Sequence, residues 1–233
     1  ETTASGDAST AMGNGTTASG HYSTAMGEET IASAYFSTAM GWRTTASGTY
    51  STAMGIMTIA SENSCTAMGA NTEASGRYST AMGNGSTASG LRSTAIGGSL
   101  ASGTDSTAVG SSIASDRASF VFGQFNLLGS TVTNSATDFS LENTAFVIGN
   151  GADADNRSDA LTVLFDGTTN VAGSVTATAF IGDGSQLTNL TSNSPFSIND
   201  TSGSGIQSET NTASGSRAFA VGNDNLASGS SST

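Results

Sequence analysis

The chain has no lysine and only one proline, one cysteine, one histidine and one tryptophan in 233 residues, and each scarcity closes off a class of protein. Six arginines stand against eighteen acidic residues, for a net charge of -12. Such a chain lacks the basic patch that nucleic acid or an anionic membrane surface requires. The lone Cys65 excludes an intrachain disulfide framework. It takes the place that Ser9, Ser23 and Ser37 hold in neighbouring repeats, so it reads as a serine-sized filler, with a covalent link between chains as the lesser alternative. No run of eighteen apolar residues exists, so no membrane contact is expected from this segment.

What the sequence has in abundance is alanine, glycine, serine and threonine, in a fixed order. Ala4-Ser5-Gly6 followed by Ser9-Thr10-Ala11-Met12-Gly13 returns fourteen residues later as Ala18-Ser19-Gly20 and Ser23-Thr24-Ala25-Met26-Gly27, and again from Ala32, Ala46, Ala60, Ala74 and Ala88. Copies shortened to thirteen residues start at Ala101 and Ala114, and the last carries Phe120-Val121-Phe122-Gly123 where the others are small. Self-similarity at a short fixed period is the signature of a solenoid. Each unit halves, because Ala4 and Ala11, or Ala18 and Ala25, lie seven apart. The expected coil is thus two strands of about four residues and two turns, with Gly and a variable pair bracketing each strand. A helix is excluded by Gly13, Gly27, Gly41, Gly55, Gly69 and Gly83, each costing roughly 1 kcal/mol inside one. Nine coils at about 4.8 Å each make a narrow rod on the order of 40 Å long.

Alternation along the strand puts Thr10 and Met12 on one side and Ser9 and Ala11 on the other. One side then carries the column Met12, Met26, Met40, Met54, Met68, Met82, Ile96, Val109 and Phe122, and the other a column of small residues. A thin coil with two alanines and one methionine inside buries too little to offset its own ordering entropy. The expectation is that small residues fill the coil while the methionine column meets identical columns of partner chains around an axis; pattern alone leaves the opposite orientation open.

These repeats resemble the head repeats of trimeric autotransporter adhesins of the YadA-like type, whose motif runs Ser-x-Ala-x-Gly, a short spacer and Ala-x-Gly, as in Ser23-Thr24-Ala25-Met26-Gly27, spacer, Ala32-Ser33-Ala34. The likeness covers residues 1 to 123 and returns at 213 to 233. It implies an all-β fold, a left-handed parallel β-roll, with three chains side by side as a homotrimer and a neck leading to a stalk. It also implies an extracellular segment on a bacterial cell surface that adheres rather than catalyses, with no cofactor. Thr stands here before Ala, where the family usually has a β-branched apolar residue, and Met after it in place of Ile, which implies a softer interface.

Beyond the array the period is lost. Residues 124–190 read as a β-rich neck or connector with short strands near Phe146-Val147-Ile148, Leu161-Thr162-Val163 and Val171 to Phe180. Within it, Ile181-Gly182-Asp183-Gly184-Ser185-Gln186-Leu187-Thr188-Asn189-Leu190 is similar to connectors of trimeric bacterial surface fibres and phage tail fibres. Residues 191–206 hold the only Pro and read as a linker, and 207–233 as the start of a second roll with Ala213, Ala220 and Ala227 at the sevenfold spacing. Both ends fall inside a repeat, so a longer fibre with its anchor elsewhere is expected.

Candidate contact residues cluster in the variable turns. One turn presents Tyr22, Phe36, Tyr50 and Tyr78 at one coil position, with Tyr35 beside Phe36; the other presents Trp42-Arg43 and Ile56-Met57. Aromatic, Met and Arg side chains on an exposed surface compose contact patches, for a receptor or glycan or for lateral fibre-fibre packing. His21 sits in a repeat slot with no positioned partner, so no catalysis is expected of it. Asp153, Asp155 and Asp159 read as a solvated acidic turn rather than a metal site. The column Thr16, Thr30, Thr44, Thr58 and Thr72 raises ice binding, which would need a second outward Thr two residues on, where Ala18 stands instead. A bacterial surface adhesin is the leading reading; a viral tail fibre on a virion and a structural filament are the alternatives.

Overall fold

The computed structural model describes residues 1–128 and 136–178, and beyond them the strands Ser197–Ile198, Ile206–Gln207, Thr212–Ala213, Phe219–Ala220 and Leu226–Ala227. The connector segment 181–190 and most of the 191–206 linker lie outside the described residues. The chain divides into two compact units, Glu1–Thr176 and Ala177–Thr233.

The first unit is a parallel β-solenoid of nine coils. Each coil gives one long strand, such as Thr24–Glu28 or Thr38–Trp42, and one short strand, such as Thr17–Ala18 or Ile31–Ala32. The long strands stack in parallel and in register, Thr24 on Thr38 and Met26 on Met40, within a twelve-stranded sheet, and the short ones form a nine-stranded sheet. The two halves are therefore unequal, unlike the two equal strands expected. The short strand stops after Ala because the next two amides share one acceptor. Both Ser19 N–H and Gly20 N–H donate to the Ala32 carbonyl, at 3.0 and 3.2 Å, which turns the chain out of the ladder. The long strand runs on through its glycine.

Of the two orientations that alternation permits, the coil takes the one with small residues inside. Ala25, Ala39, Ala53, Ala67, Ala81, Ala95 and Ala108 are fully buried, while Thr24 and Met26 on the opposite side are half-exposed. Three more buried columns complete the interior: Ala18 to Ala114 from the short strands, a serine column from Ser23, and Thr16, Thr30, Thr44, Thr58 and Thr72. That threonine column faces inward, so its hydroxyls are not available to order water outside, and ice binding through it is ruled out. In the serine column Ser37 Oγ turns back to donate to the Ala34 carbonyl at 2.7 Å, and Ser119 Oγ to the Asp116 carbonyl at 2.8 Å.

Cys65 does the same, its thiol donating to the Glu62 carbonyl at 2.8 Å. It is fully buried, and that burial pushes the thiol pKa up. The thiol is thus both shielded and protonated at neutral pH. A maleimide or disulfide reagent is expected to leave Cys65 unmodified in the native protein and to label it stoichiometrically in denaturant; fast native labelling would contradict its interior position.

The array is closed at its far end by two devices. Thr144–Asn150 adds to the last long strand, Phe120–Gln124, in parallel and in register, Val121 on Val147 and Phe122 on Ile148, so a tenth rung follows an excursion of the chain. Val147 is as buried as the alanines it succeeds. Asp159–Leu164 and Thr169–Val171 then pair antiparallel, ending the parallel stack. On the short sheet the same task falls to one side chain. Asn126, buried at the end of the threonine column, accepts from Ile113 N–H at 2.8 Å and donates to the Ile113 carbonyl at 3.1 Å, standing where another strand would pair. Asn126→Ala strips both bonds from a buried edge and is expected to cost about 1–3 kcal/mol, read as a lower midpoint in urea.

In the second unit Thr212–Ala213 pairs in parallel with Leu226–Ala227, a fourteen-residue step, and Ile206–Gln207 with Phe219–Ala220.

Candidate contact surfaces

The outer face of the large sheet is a flat apolar strip. In-register pairing stacks Met12, Met26, Met40, Met54, Met68 and Met82, then Ile96, Val109 and Phe122, one above the next, and Ile148 extends the column. Beside it runs a threonine column ending in Phe120 and Phe146, whose rings stack at 5.7 Å. No acidic or basic residue interrupts either column. Ile148 was not among the residues expected from sequence, although Phe146-Val147-Ile148-Gly149 echoes Phe120-Val121-Phe122-Gly123. The small sheet differs: its outward column contains Glu73 between Ile59 and Thr87.

The corners of the coil are held in the left-handed backbone region by hydrogen bonds between coils. At the first corner Tyr22 N–H donates to the Asp7 carbonyl at 2.8 Å, Phe36 N–H to His21 at 3.0 Å and Tyr50 N–H to Tyr35 at 2.9 Å. These residues have φ of 57°, 55° and 60°, a conformation that costs an L-residue roughly 1–2 kcal/mol. The same amide would otherwise point outward unpaired, so the bond offsets the strain. One backbone conformation and one register place the side chains in a column. Tyr22 and Phe36 stack at 5.0 Å, and Phe36 and Tyr50 at 5.1 Å, nearly parallel in both pairs. His21 joins from the adjacent position, stacked on Tyr35 at 4.7 Å with Nδ1 3.0 Å from Asp7 Oδ2. So His21 does have partners, but they are the residues of its own column on either side.

Two coils further on, Tyr78 occupies the same corner position, with the Arg77 guanidinium 4.7 Å from its ring centroid and Nη2 donating to its hydroxyl at 2.9 Å. Beyond it Arg92 donates from Nη2 to Asp105 Oδ2 at 2.9 Å, which holds the Asp105 carboxyl below the usual carboxylate range.

At the second corner Arg43 lies over Trp42 at 4.7 Å and donates to Glu29 Oε2 at 2.6 Å. Ile56 and Met57 follow in the next coil, both exposed. The acidic turn near residue 153 is spent on its own geometry. Asp153 Oδ1 accepts from the amides of Asp155 and Asn156, and Asp159 Oδ1 accepts from Leu127 N–H, so the carboxylates expected together serve different loops. No group of three or more His, Cys, Asp or Glu that could hold a metal occurs among the described residues. No helix among them is long and apolar enough to cross a membrane.

The coil sequence and geometry meet in one comparison. The family model of the YadA head domain repeat, two copies long, matches residues 4–28, 18–44, 46–72, 74–99 and 98–112. No curated protein matches the chain. The coils between residues 4 and 112 are therefore YadA head repeats, the structural and non-catalytic head unit of YadA-like trimeric autotransporter adhesins.

Proposed function

We propose that this chain is a segment of an extracellular, homotrimeric adhesin fibre on a bacterial cell surface, which attaches to surfaces, cells or matrix by many weak contacts. What carries the reading is the uninterrupted apolar strip of the large sheet. It runs from Met12 through Ile148, with Met12 and Phe122 exposed and the other rungs half-buried on the single chain, whereas the small sheet accepts Glu73 in its outer column. The methionine column and the threonine column beside it stay free of charge, and Glu28 enters the large sheet only at the end of its strand, beyond Gly27. Packing three methionine columns around an axis removes that strip from water and supplies the burial the thin coil lacks. YadA-like proteins form trimers on the cell surface, in keeping with this arrangement.

The corners then remain on the outside, where Tyr22, Tyr35, Phe36, Tyr50 and Tyr78 on one edge and Trp42, Arg43, Ile56 and Met57 on the other are presented threefold. Threefold display raises avidity without new contacts. A net charge of -12 leaves nucleic acid outside the set of partners. The gene beyond this segment tests the reading against a viral fibre. An adhesin has a downstream membrane anchor of amphipathic strands, while an upstream virion-attachment domain or a downstream self-cleaving chaperone would overturn it.

A further inference from the structure

The aromatic column at the first corner has a missing rung. Tyr22, Phe36 and Tyr50 occupy successive coils, Ser64 takes the next, and Tyr78 the one after. Ser64 has the same corner conformation, with φ of 56° against 55° for Phe36, so the column is continuous in backbone and interrupted only in side chain. Successive rings are 5.0 and 5.1 Å apart, and two such steps open a slot of roughly 10 Å between Tyr50 and Tyr78 at Ser64. Both walls are exposed, Tyr50 by 61% and Tyr78 by 47%. Among the described residues no other corner position has an aromatic residue on both sides and a small one between.

We propose that this slot binds one pyranose ring of an acidic polysaccharide, a uronic acid residue, sandwiched between Tyr50 and Tyr78 with its carboxylate on Arg77. A guest ring midway stands about 5 Å from each wall, within the roughly 4.5–7 Å at which stacked rings meet. The axial C–H bonds of a pyranose carry the partial positive charge that the negative ring face attracts. Charge selects the acid. Arg92 and Arg117 both lie against Asp105, at 2.5 and 3.9 Å, whereas Arg77 beside the slot meets, among the described residues, the ring and hydroxyl of Tyr78. Its guanidinium keeps donors for a carboxylate, which it recognises in a fork. Ser64 occupies the rung between the two walls, with Thr49 before Tyr50 and Glu62-Asn63 before Ser64 as polar neighbours. The proposal rests on the reading of this roll as an adhesive head and names the chemistry of what it holds.

Titration of the whole chain with a galacturonate hexamer, followed by proton NMR, tests it. Sugar C–H protons are expected to shift upfield from the ring currents of the two tyrosines, and cellohexaose, the neutral control, to bind at least tenfold more weakly. Ser64→Phe fills the rung in a conformation Phe36 already adopts, so it is expected to abolish the shifts while leaving the thermal midpoint unchanged or raised. Arg77→Gln reduces the preference for the acid to less than twofold. Absent shifts with the native chain, unchanged binding in Ser64→Phe, or equal affinity for cellohexaose would overturn the proposal. The solution mass of the same samples separates the two readings: a trimer that fails to bind removes the slot alone, and a monomer that binds removes the trimer alone.

Discussion

Met54→Asp combined with Met68→Asp is expected to reduce the assembled protein to single chains while each chain keeps its β-sheet signal. The two side chains are adjacent rungs of the same column, in register at Met54 on Met68. In the proposed trimer the double variant gathers six carboxylates around one axis, where no cation is available on the facing columns. An unpaired buried charge costs roughly 3–5 kcal/mol, and several of like sign add repulsion. The coil itself is spared, because both residues point away from the alanine interior. Ile59→Asp provides the contrast. It places the same charge on the outer column of the small sheet, next in register to Glu73, and is expected to leave the mass unchanged. Light scattering with circular dichroism separates dissociation from unfolding. Retention of full mass in the Met54/Met68 variant would move the interface off the large sheet.

The second large effect is expected from one methyl group. Gly55→Ala sets a Cβ 2.0 Å from the Gly69 carbonyl oxygen of the next coil, at a backbone φ of +121° that side chains rarely adopt. The obstacle is backbone, and the neighbouring coil cannot retreat without breaking its own ladder. We expect loss of more than about 4 kcal/mol, enough to unfold the roll locally. Gly85→Ala is the matched control, with φ of +70° and nothing within 4 Å of the added atom. Equivalent corners carry Glu29, Arg43, Met57 and Asn71 at φ of 50–53°, so the cost there is expected to be about 1 kcal/mol. Similar thermal midpoints for the two variants would show that the coils do not approach as closely as described.

The period, the stacking of coils and the grouping of residues into columns were legible in the sequence because a solenoid repeats one local solution, and Ala25, Ala39 and Ala53 announce one position many times over; which side of the strand faces inward was left open by alternation and is settled by burial. Strand length was not legible. Equal sevenfold spacing suggested equal halves, but whether a strand ends after Ala18 or runs through Gly27 depends on the shared carbonyl and a positive φ, neither of which the letters carry. The threonine column was correctly seen as a column and its direction was open, since Thr16 suits either side of a strand. Burial places it inside.

At the candidate surfaces, the sequence gives the corner position of Tyr22, Phe36, Tyr50 and Tyr78, and the structure adds what the residues do there: three rings in contact, a gap at Ser64, and a fourth ring engaged by Arg77. His21 illustrates the limit. Alone in sequence it has no partner, yet Asp7 and Tyr35, fourteen residues to either side, become its neighbours once the coils stack. Ile148 and Asn126 escaped because neither follows the period. The first resumes the long-strand column after an excursion of more than twenty residues, and the second replaces a strand with a side chain.

The most direct test of the central claim is the mass of the protein in solution by light scattering at low micromolar concentration and physiological salt. The expected value is three times the 22.9 kDa chain, unchanged on tenfold dilution. A stable, folded species with the mass of one chain would contradict the apolar strip as an interface and, with it, the reading of these coils as the head of a trimeric adhesin.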